Sequence, residues 1–335
     1  MRKHWGGRKQ LVAAGLAVAA VTLSAAPASA APRAAWPGAA QVAVADGSNV
    51  FGSNLSGLSF QSPSVLWAVK NGPGTLYRLV PDGKKWRPDP SGGWAKGKQL
   101  RYQDGSGDPD AEGVVVTPEG VFAATERDND NGDESRMQVL RFDPASSAST
   151  LNATAEWDLT KDLPSVSPNK GLEGISWVPD SFLTTHKFRD EHTKAAYDPA
   201  KYPGHGGGLY FVGLEDNGTI YAYALGQNGS YTRIATIPSG LPAVMDLEFE
   251  PSTGHLWAVC DDNCDGRSTT LDVTAQGKFA VGATYDRPSG MPNYNNEGFA
   301  IAPQDACASG RKPVVWSDDD NDGGHALRSS TLPCK

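Results

Sequence analysis

Beyond residue 23 this chain has no apolar run long enough to span a bilayer, and nowhere does it show a sustained helical period. The first absence argues against membrane-spanning helices, and the second points to an all-β chain. Cationic side chains are in deficit, with 30 Lys and Arg against 38 Asp and Glu. That balance argues against nucleic acid or anionic lipid as partner, since both need a net basic face. GxSxG, HExxH, a P-loop and a dinucleotide fingerprint after a strand are all missing, so no signature of those chemistries is present. A serine triad is defined by geometry rather than chain order, so a motif search does not decide it.

What is present begins with an export signal. Arg2, Lys3, Arg8 and Lys9 form a basic start, residues 11–23 an apolar run too short to span, and Ala28-Ser29-Ala30 a small-residue cleavage site. Residues 1–30 are therefore expected to be removed, leaving a soluble, secreted, monomeric protein. Its balance becomes 26 basic against 38 acidic residues, about 12 negative, which suits a holder of divalent cations.

A motif recurs through the remainder: LSGLSFQSPSVLWAVK from Leu55, AEGVVVTPEGVFAATE from Ala111, LEGISWVPDSFLTTHK from Leu172, VMDLEFEPSTGHLWAVCDD from Val244 and NEGFAIAPQDACASGRKPVVWSDDD from Asn296. Three copies keep one register, Glu112 with Pro118, Glu173 with Pro179 and Glu297 with Pro303. The unit reads as an acid and glycine, a short apolar strand, a proline turn, a second apolar strand and then charge, with Ser56 in place of the acid in the first copy and Met245-Asp246 in place of Glu-Gly in the fourth. In the second unit strands are expected at 113–117, 121–126, 137–143 and 154–159.

Repeats of this length imply a single β-propeller of four-stranded blades. Intervals of 56, 61, 75 and 49 residues separate the copies. The long interval contains 209–225 and 231–237, which can be read as a sixth blade lacking its first strand, so the propeller is expected to have five or six blades. The last unit runs out after three strands, so 41–45 in the segment 31–45 is expected to supply the fourth and close the ring within 46–335. Residues 187–207 form a long insertion without apolar period, read as a lid over the ring axis.

First strands line a propeller's channel. Glu112, Glu173 and Glu297 should therefore surround one mouth, with Ser56, Met245 and Asp246 at the matching positions and Glu248 nearby. Crowded carboxylates repel, and each should have a raised pKa unless a cation sits among them. Second strands should end in Lys70, Glu126, His186, Asp261 and Asp318. Acidic loops follow, carrying Asp128 and Asp130, Asp261 and Asp262, and Asp318, Asp319 and Asp320. Alternating Asp and Asn with a turn glycine is the oxygen-rich composition that Ca²⁺ coordination requires, so Ca²⁺ is the expected cofactor. The four cysteines allow three pairings. Cys260 with Cys264, and Cys307 with Cys334 at the ring closure, are favoured.

The SGL and EGI strand starts, the LWAV strand followed by Asp, and the closing VVWSDDDN resemble the phytase-like propeller family named for an esterase-like activity of phytase. The resemblance runs through most of 46–330. It implies an acidic, metal-binding funnel that receives a small phosphate ester or other ester, with Glu112, Glu173, Glu297 and His186 in catalytic places. Lys70, Arg127, Lys187 or Arg189 would meet the phosphate. A dense basic cluster for a highly phosphorylated inositol is lacking. The residues leave two rivals open: a carboxylic ester or lactone hydrolase holding one Ca²⁺ with Glu112, Asn295 and Asp261, and a non-catalytic binding propeller with structural Ca²⁺.

Overall fold

The computed structural model describes residues 1–4, 6 and 33–334. Two units are distinguished, Met1–Ala30 and Ala31–Lys335, and most of the expected signal lies outside the described residues. Among those described, no helix is long and apolar enough to cross a membrane.

The second unit is a five-bladed β-propeller. Its blades begin with Leu55–Ser62, Pro109–Thr117, Leu172–Pro179, Asp246–Glu250 and Asn296–Ile301. These first strands pack against one another around the axis, and each starts at the same mouth of the ring. The apolar runs alternate with the pleat, so the blades bury side chains such as Trp67, Phe122, Phe211, Leu256 and Val315 between neighbouring sheets.

The candidate sixth blade is the outer part of blade 3. Gly208–Leu214, Thr219–Leu225 and Tyr231–Pro238 pair in order outside Leu172–Pro179. The expected second strand after Pro179 is instead a short helix, Asp180–Thr185. Thr184 and Thr185 hydroxyls donate back to the Asp180 and Ser181 carbonyls at 2.7 Å each, and Asp180 sits in the favourable first turn. The hairpin resumes with Pro179 opposite Gly208, so the insertion grows from the far end of that strand.

The insertion is not a lid on the axis. Phe188, Tyr197 and Tyr202 join the core between blades 3 and 4. The Arg189 N–H donates to the Gly277 carbonyl at 2.6 Å and the Glu191 N–H to that of Ile234 at 2.8 Å. Tyr197 and His205 both meet the Asp180 carboxylate, at 2.8 and 3.1 Å. No residue of 187–207 lines either axial cavity.

Closure follows the expected route. Ala43–Val44 pairs antiparallel with Leu327–Pro333 as the outer strand of blade 5. Arg33–Ala34 adds, in parallel, to the outer strand of blade 4. Between them Trp36 packs against Trp257, Phe299 and Trp316. The disulfides are Cys260–Cys264 and Cys307–Cys334, with Cα separations of 5.9 and 6.0 Å, the latter fastening the last strand.

A first strand has one free edge, and its buried amides need partners. Side chains of neighbouring blades supply them. Ser59 Oγ accepts from the Val116 N–H at 3.2 Å and Ser176 Oγ from the Phe249 N–H at 2.8 Å. Asp246, fully buried, accepts from Phe299 N–H at 2.8 Å, Leu58 N–H at 3.4 Å and its neighbour Leu247 N–H at 2.8 Å. It therefore ties blades 1, 4 and 5 across the axis.

The motif glycine has a steric cause. A Cβ on Gly57 would lie 2.5 Å from the Glu112 carbonyl oxygen, on Gly113 2.4 Å from that of Glu173, and on Gly174 2.7 Å from Asp246 Cα. Gly298 would meet the Ser56 carbonyl oxygen at 2.4 Å. The ring closes only where these strands lack side chains.

Replacing Asp246 by Ala leaves the Phe299 and Leu58 N–H groups buried without an acceptor, a loss of about 2–6 kcal/mol at ~1–3 kcal/mol per group. The midpoint of urea unfolding should fall accordingly, whereas the exposed Asp130→Ala should leave it near the parent value.

Candidate metal centre and funnel

At the mouth where the first strands begin, two sets of loops converge. One set leaves the second strands and the other enters the first strands. They enclose a funnel of about 470 Å³ lined by nine carboxylates, six carboxamides and one arginine. Oxygen donors thus dominate the wall.

Glu112, Glu173 and Glu297 all reach this funnel. Glu112 and Glu173 are buried, and Glu297 is partly buried. Asn71 Nδ2 donates to both oxygens of Glu112 at 3.0 and 3.1 Å, and Asn295 Nδ2 to Glu297 at 3.2 Å. Asp261, Asp262, Asp319 and Asp320 complete the rim. Ser56, at the matching place in blade 1, turns away and donates to the Glu112 carbonyl at 2.7 Å.

Glu126 lies behind the wall, 1 % exposed, and accepts from the Gly171 N–H at 2.7 Å. It belongs to two groups of three carboxylates: Asp110, Glu112 and Glu126, and Glu126, Glu173 and Glu215. Within each group one oxygen from every residue lies within 4.8 Å of the others. Glu126 is therefore the shared corner of two adjoining donor sets.

Several expected site residues do other work. Asp128 caps a turn, accepting from the Asp130 N–H at 3.1 Å and the Asp108 N–H at 2.9 Å, and pairs with Arg136 at 3.2 Å. Asp130 itself is exposed and outside the wall. Asp318 is buried beneath its loop, accepting from the Asp322 N–H at 2.9 Å and meeting Arg328 at 3.3 Å. Asp246 is engaged by strand amides, and Glu248 lies past it at the opposite mouth. For Asp128, Asp246 and Asp318 the reason is the same, a carboxylate near backbone N–H groups being satisfied locally, whereas Asp130 faces solvent and Glu248 lies too far along the axis.

The expected cations divide likewise. Arg127 lines the funnel, with Nε given to Asp110 at 2.5 Å. Lys70 donates to the Phe51 carbonyl at 3.0 Å beside Asp319 and is not part of the wall. Lys187 and Arg189 belong to the insertion at the other end of blade 3. His186 ends the short helix, exposed, stacked on Phe182 with ring centroids 4.0 Å apart. It is far along the chain path from the mouth because its segment is not the second strand. Glu215 takes that place, following Leu214.

Glu215 and Asp110 are the site carboxylates absent from the sequence expectations, and Asn71 is a carboxamide absent from them. The signal for Glu215 was present: LYFVGLEDNG has the apolar run, acid and DN turn of VFAATERDND and VVWSDDDN. Asp110 precedes the motif Glu in DPDAEG, where the first strand begins earlier than its apolar residues indicate.

Burial raises the whole group. Desolvation, then the charges of Glu297, Asp110 and Glu126, push Glu112 well above the carboxylate range. Desolvation and then Glu126, Glu112 and Glu297 do the same to Glu173. Glu126 is pushed up to about 7 and Asp319 to about 6, burial leading in both. Buried Glu173 Oε2, Glu297 Oε2, Asp319 Oδ1 and Asn71 Oδ1 have no hydrogen-bond partner. Unpartnered carboxylate and amide oxygens converging on one space are the donor set of a hard divalent cation, so these residues fit Ca²⁺.

The pH dependence follows in sign. In the ion-free protein the folded carboxyls hold protons that unfolded ones release near pH 4.5. Their stabilising contribution is full below that value and is lost as pH rises through about 7. Ion-free protein should melt at a higher temperature at about pH 5 than at about pH 8, and Ca²⁺ should restore the loss at the higher pH. Equal melting at both values, with no response to Ca²⁺, contradicts the assignment.

No protein-family model and no curated sequence matches the chain. Solved structures that resemble it include a proposed glucose dehydrogenase-type oxidoreductase of Thermus thermophilus, at 13% identity and TM-score 0.44 over 87% of this chain and 99% of that one. The PQQ-bound aldose sugar dehydrogenase of Streptomyces coelicolor has 12% identity and TM-score 0.40 over 87% and 98%. A proposed gluconolactonase has 13% identity and TM-score 0.41 over 81% and 72%. At such identities and scores none of them bears on what the funnel does.

Proposed function

We propose that this chain is a secreted, monomeric, phytase-like propeller that hydrolyses small phosphate esters at the acidic funnel, with Ca²⁺ as cofactor and neither nucleic acid nor membrane as partner. The observation that carries this is Glu126, shared between the Asp110–Glu112 set and the Glu173–Glu215 set. Two adjoining all-oxygen sites suit a phosphoryl group, whose oxygens can be neutralised from two sides.

When bound, the cations supply Lewis-acid polarisation of the phosphoryl oxygens and lower the pKa of water. The chain's own residues position and exclude. Asp110, Glu112, Glu126, Glu173 and Glu215 would hold the cations. Arg127, its Nε occupied by Asp110, has its other N–H donors for a phosphate oxygen. Glu297, its ionisation opposed by burial and then by Asp319, is placed to give a proton to the leaving alkoxide. With a single arginine in the wall, one phosphate is the charge the funnel accepts.

That same scarcity of cations favours one alternative, a carboxylic ester or lactone hydrolase. Glu112, Asn295 and Asp261 all line the funnel and could share a single Ca²⁺.

The test is an assay of purified protein with Ca²⁺ or chelator on 4-nitrophenyl phosphate, bis(4-nitrophenyl) phosphate and 4-nitrophenyl acetate. Hydrolysis of the monoester should require Ca²⁺, and Glu126→Gln should lower kcat by roughly 100-fold or more while the ion-free melting temperature holds or rises. Turnover of the acetate alone transfers the assignment to the ester hydrolase. Stabilisation by Ca²⁺ with no turnover leaves a binding propeller.

A further inference from the structure

The axis has a second mouth, at the far ends of the first strands. All five contribute to a cavity of about 350 Å³ there, a volume that suits a small molecule. It is separated from the acidic funnel by the glycine constriction and Asp246. Its walls are mainly apolar, with Phe60, Trp177, Phe249 and Ile301 among them.

One carboxyl in this cavity has no salt-bridge partner of its own. Glu250 and Lys312 form a buried ion pair at 2.5 Å, with side chains 5 % and 2 % exposed, and Lys312 also donates to Ser252 at 3.1 Å. That pair is complete in itself. Glu248, one pleat repeat before Glu250, lines the same space without a salt-bridge partner. Burial, and then the neighbouring Asp246, oppose its ionisation, and the Ile301 backbone N–H and the more distant Lys312 offset this only in part. A cation placed directly against it would therefore favour the carboxylate.

The chemistry selects among ligands. An anion would meet the unpaired Glu248. A hard divalent cation needs about six oxygens or more, but Ser59 and Ser176 Oγ already serve backbone amides. A neutral apolar molecule would leave Glu248 further desolvated. An ammonium group on an apolar body pairs with the carboxylate, buries its hydrocarbon and meets the faces of Trp177 and Phe60.

We infer that this second mouth is a binding site for a small organic ammonium ion, its charge on Glu248 and its apolar part against Phe60, Trp177 and Phe249. The inference is independent of what the acidic funnel does.

Calorimetric titration of the wild-type protein with hexylammonium, hexanol and hexanoate tests it. Hexylammonium should bind about tenfold or more tightly than hexanol, and hexanoate should not bind. Glu248→Gln should weaken hexylammonium by about tenfold and leave hexanol unchanged. Because the wild-type comparison needs no variant, poor folding of Glu248→Gln does not remove the test. Equal affinity for alcohol and ammonium, preference for hexanoate, or no binding of hexylammonium into the millimolar range overturns the inference.

Discussion

The ring depends on how five strand edges meet at its axis. A sheet edge carries amides that cannot be left dry, and here neighbouring blades satisfy one another through short side chains. Asp246 accepts from blades 1, 4 and 5, and Ser59 and Ser176 serve the junctions between blades 1 and 2 and between 3 and 4. The glycines at Gly57, Gly113, Gly174 and Gly298 allow the approach that makes those bonds short. Strand spacing, blade count and the blocked axis are consequences of the same contact.

That contact also divides the axis into two chemical environments. On one side every first strand begins, and loops rich in Asp, Asn and Glu gather into a funnel whose carboxylates are too close to ionise together without a cation. On the other side the same strands end in apolar residues, interrupted by one unpaired glutamate. A single strand in blade 4 spans the change: Asp246 at the constriction, then Glu248 and Glu250 beyond it. Residues on one face of one strand thus have three different fates, set by distance along the axis rather than by residue type.

The metal reading rests on shared donors more than on any loop. The acidic turn 128–130 looks like a cation loop in sequence, but the Asp128 carboxylate is occupied by turn amides and Arg136 and Asp130 faces solvent outside the funnel. Glu126, an unremarkable strand-end acid, is the one that two donor sets share. Backbone N–H groups compete for carboxylate oxygens locally, and Glu126 accepts one such bond, from Gly171, while still lying within reach of both neighbouring pairs of acids.

The sequence by itself determined the repeat, the all-β class, the first-strand acids Glu112, Glu173 and Glu297 and a closing strand within 41–45, and it favoured, among three pairings, the two disulfides that form. These are local or periodic properties, readable wherever each copy carries its own signal. Only the tertiary structure decided between five and six blades, because the insertion after Pro179 hides the continuation of blade 3 and displaces His186 in favour of Glu215. It alone separated Asp246 and Glu248 from the funnel and joined Asp110 and Glu215 to it. Which carboxylates converge depends on the depth of each residue along a common axis, and depth is fixed by the packing of all five blades.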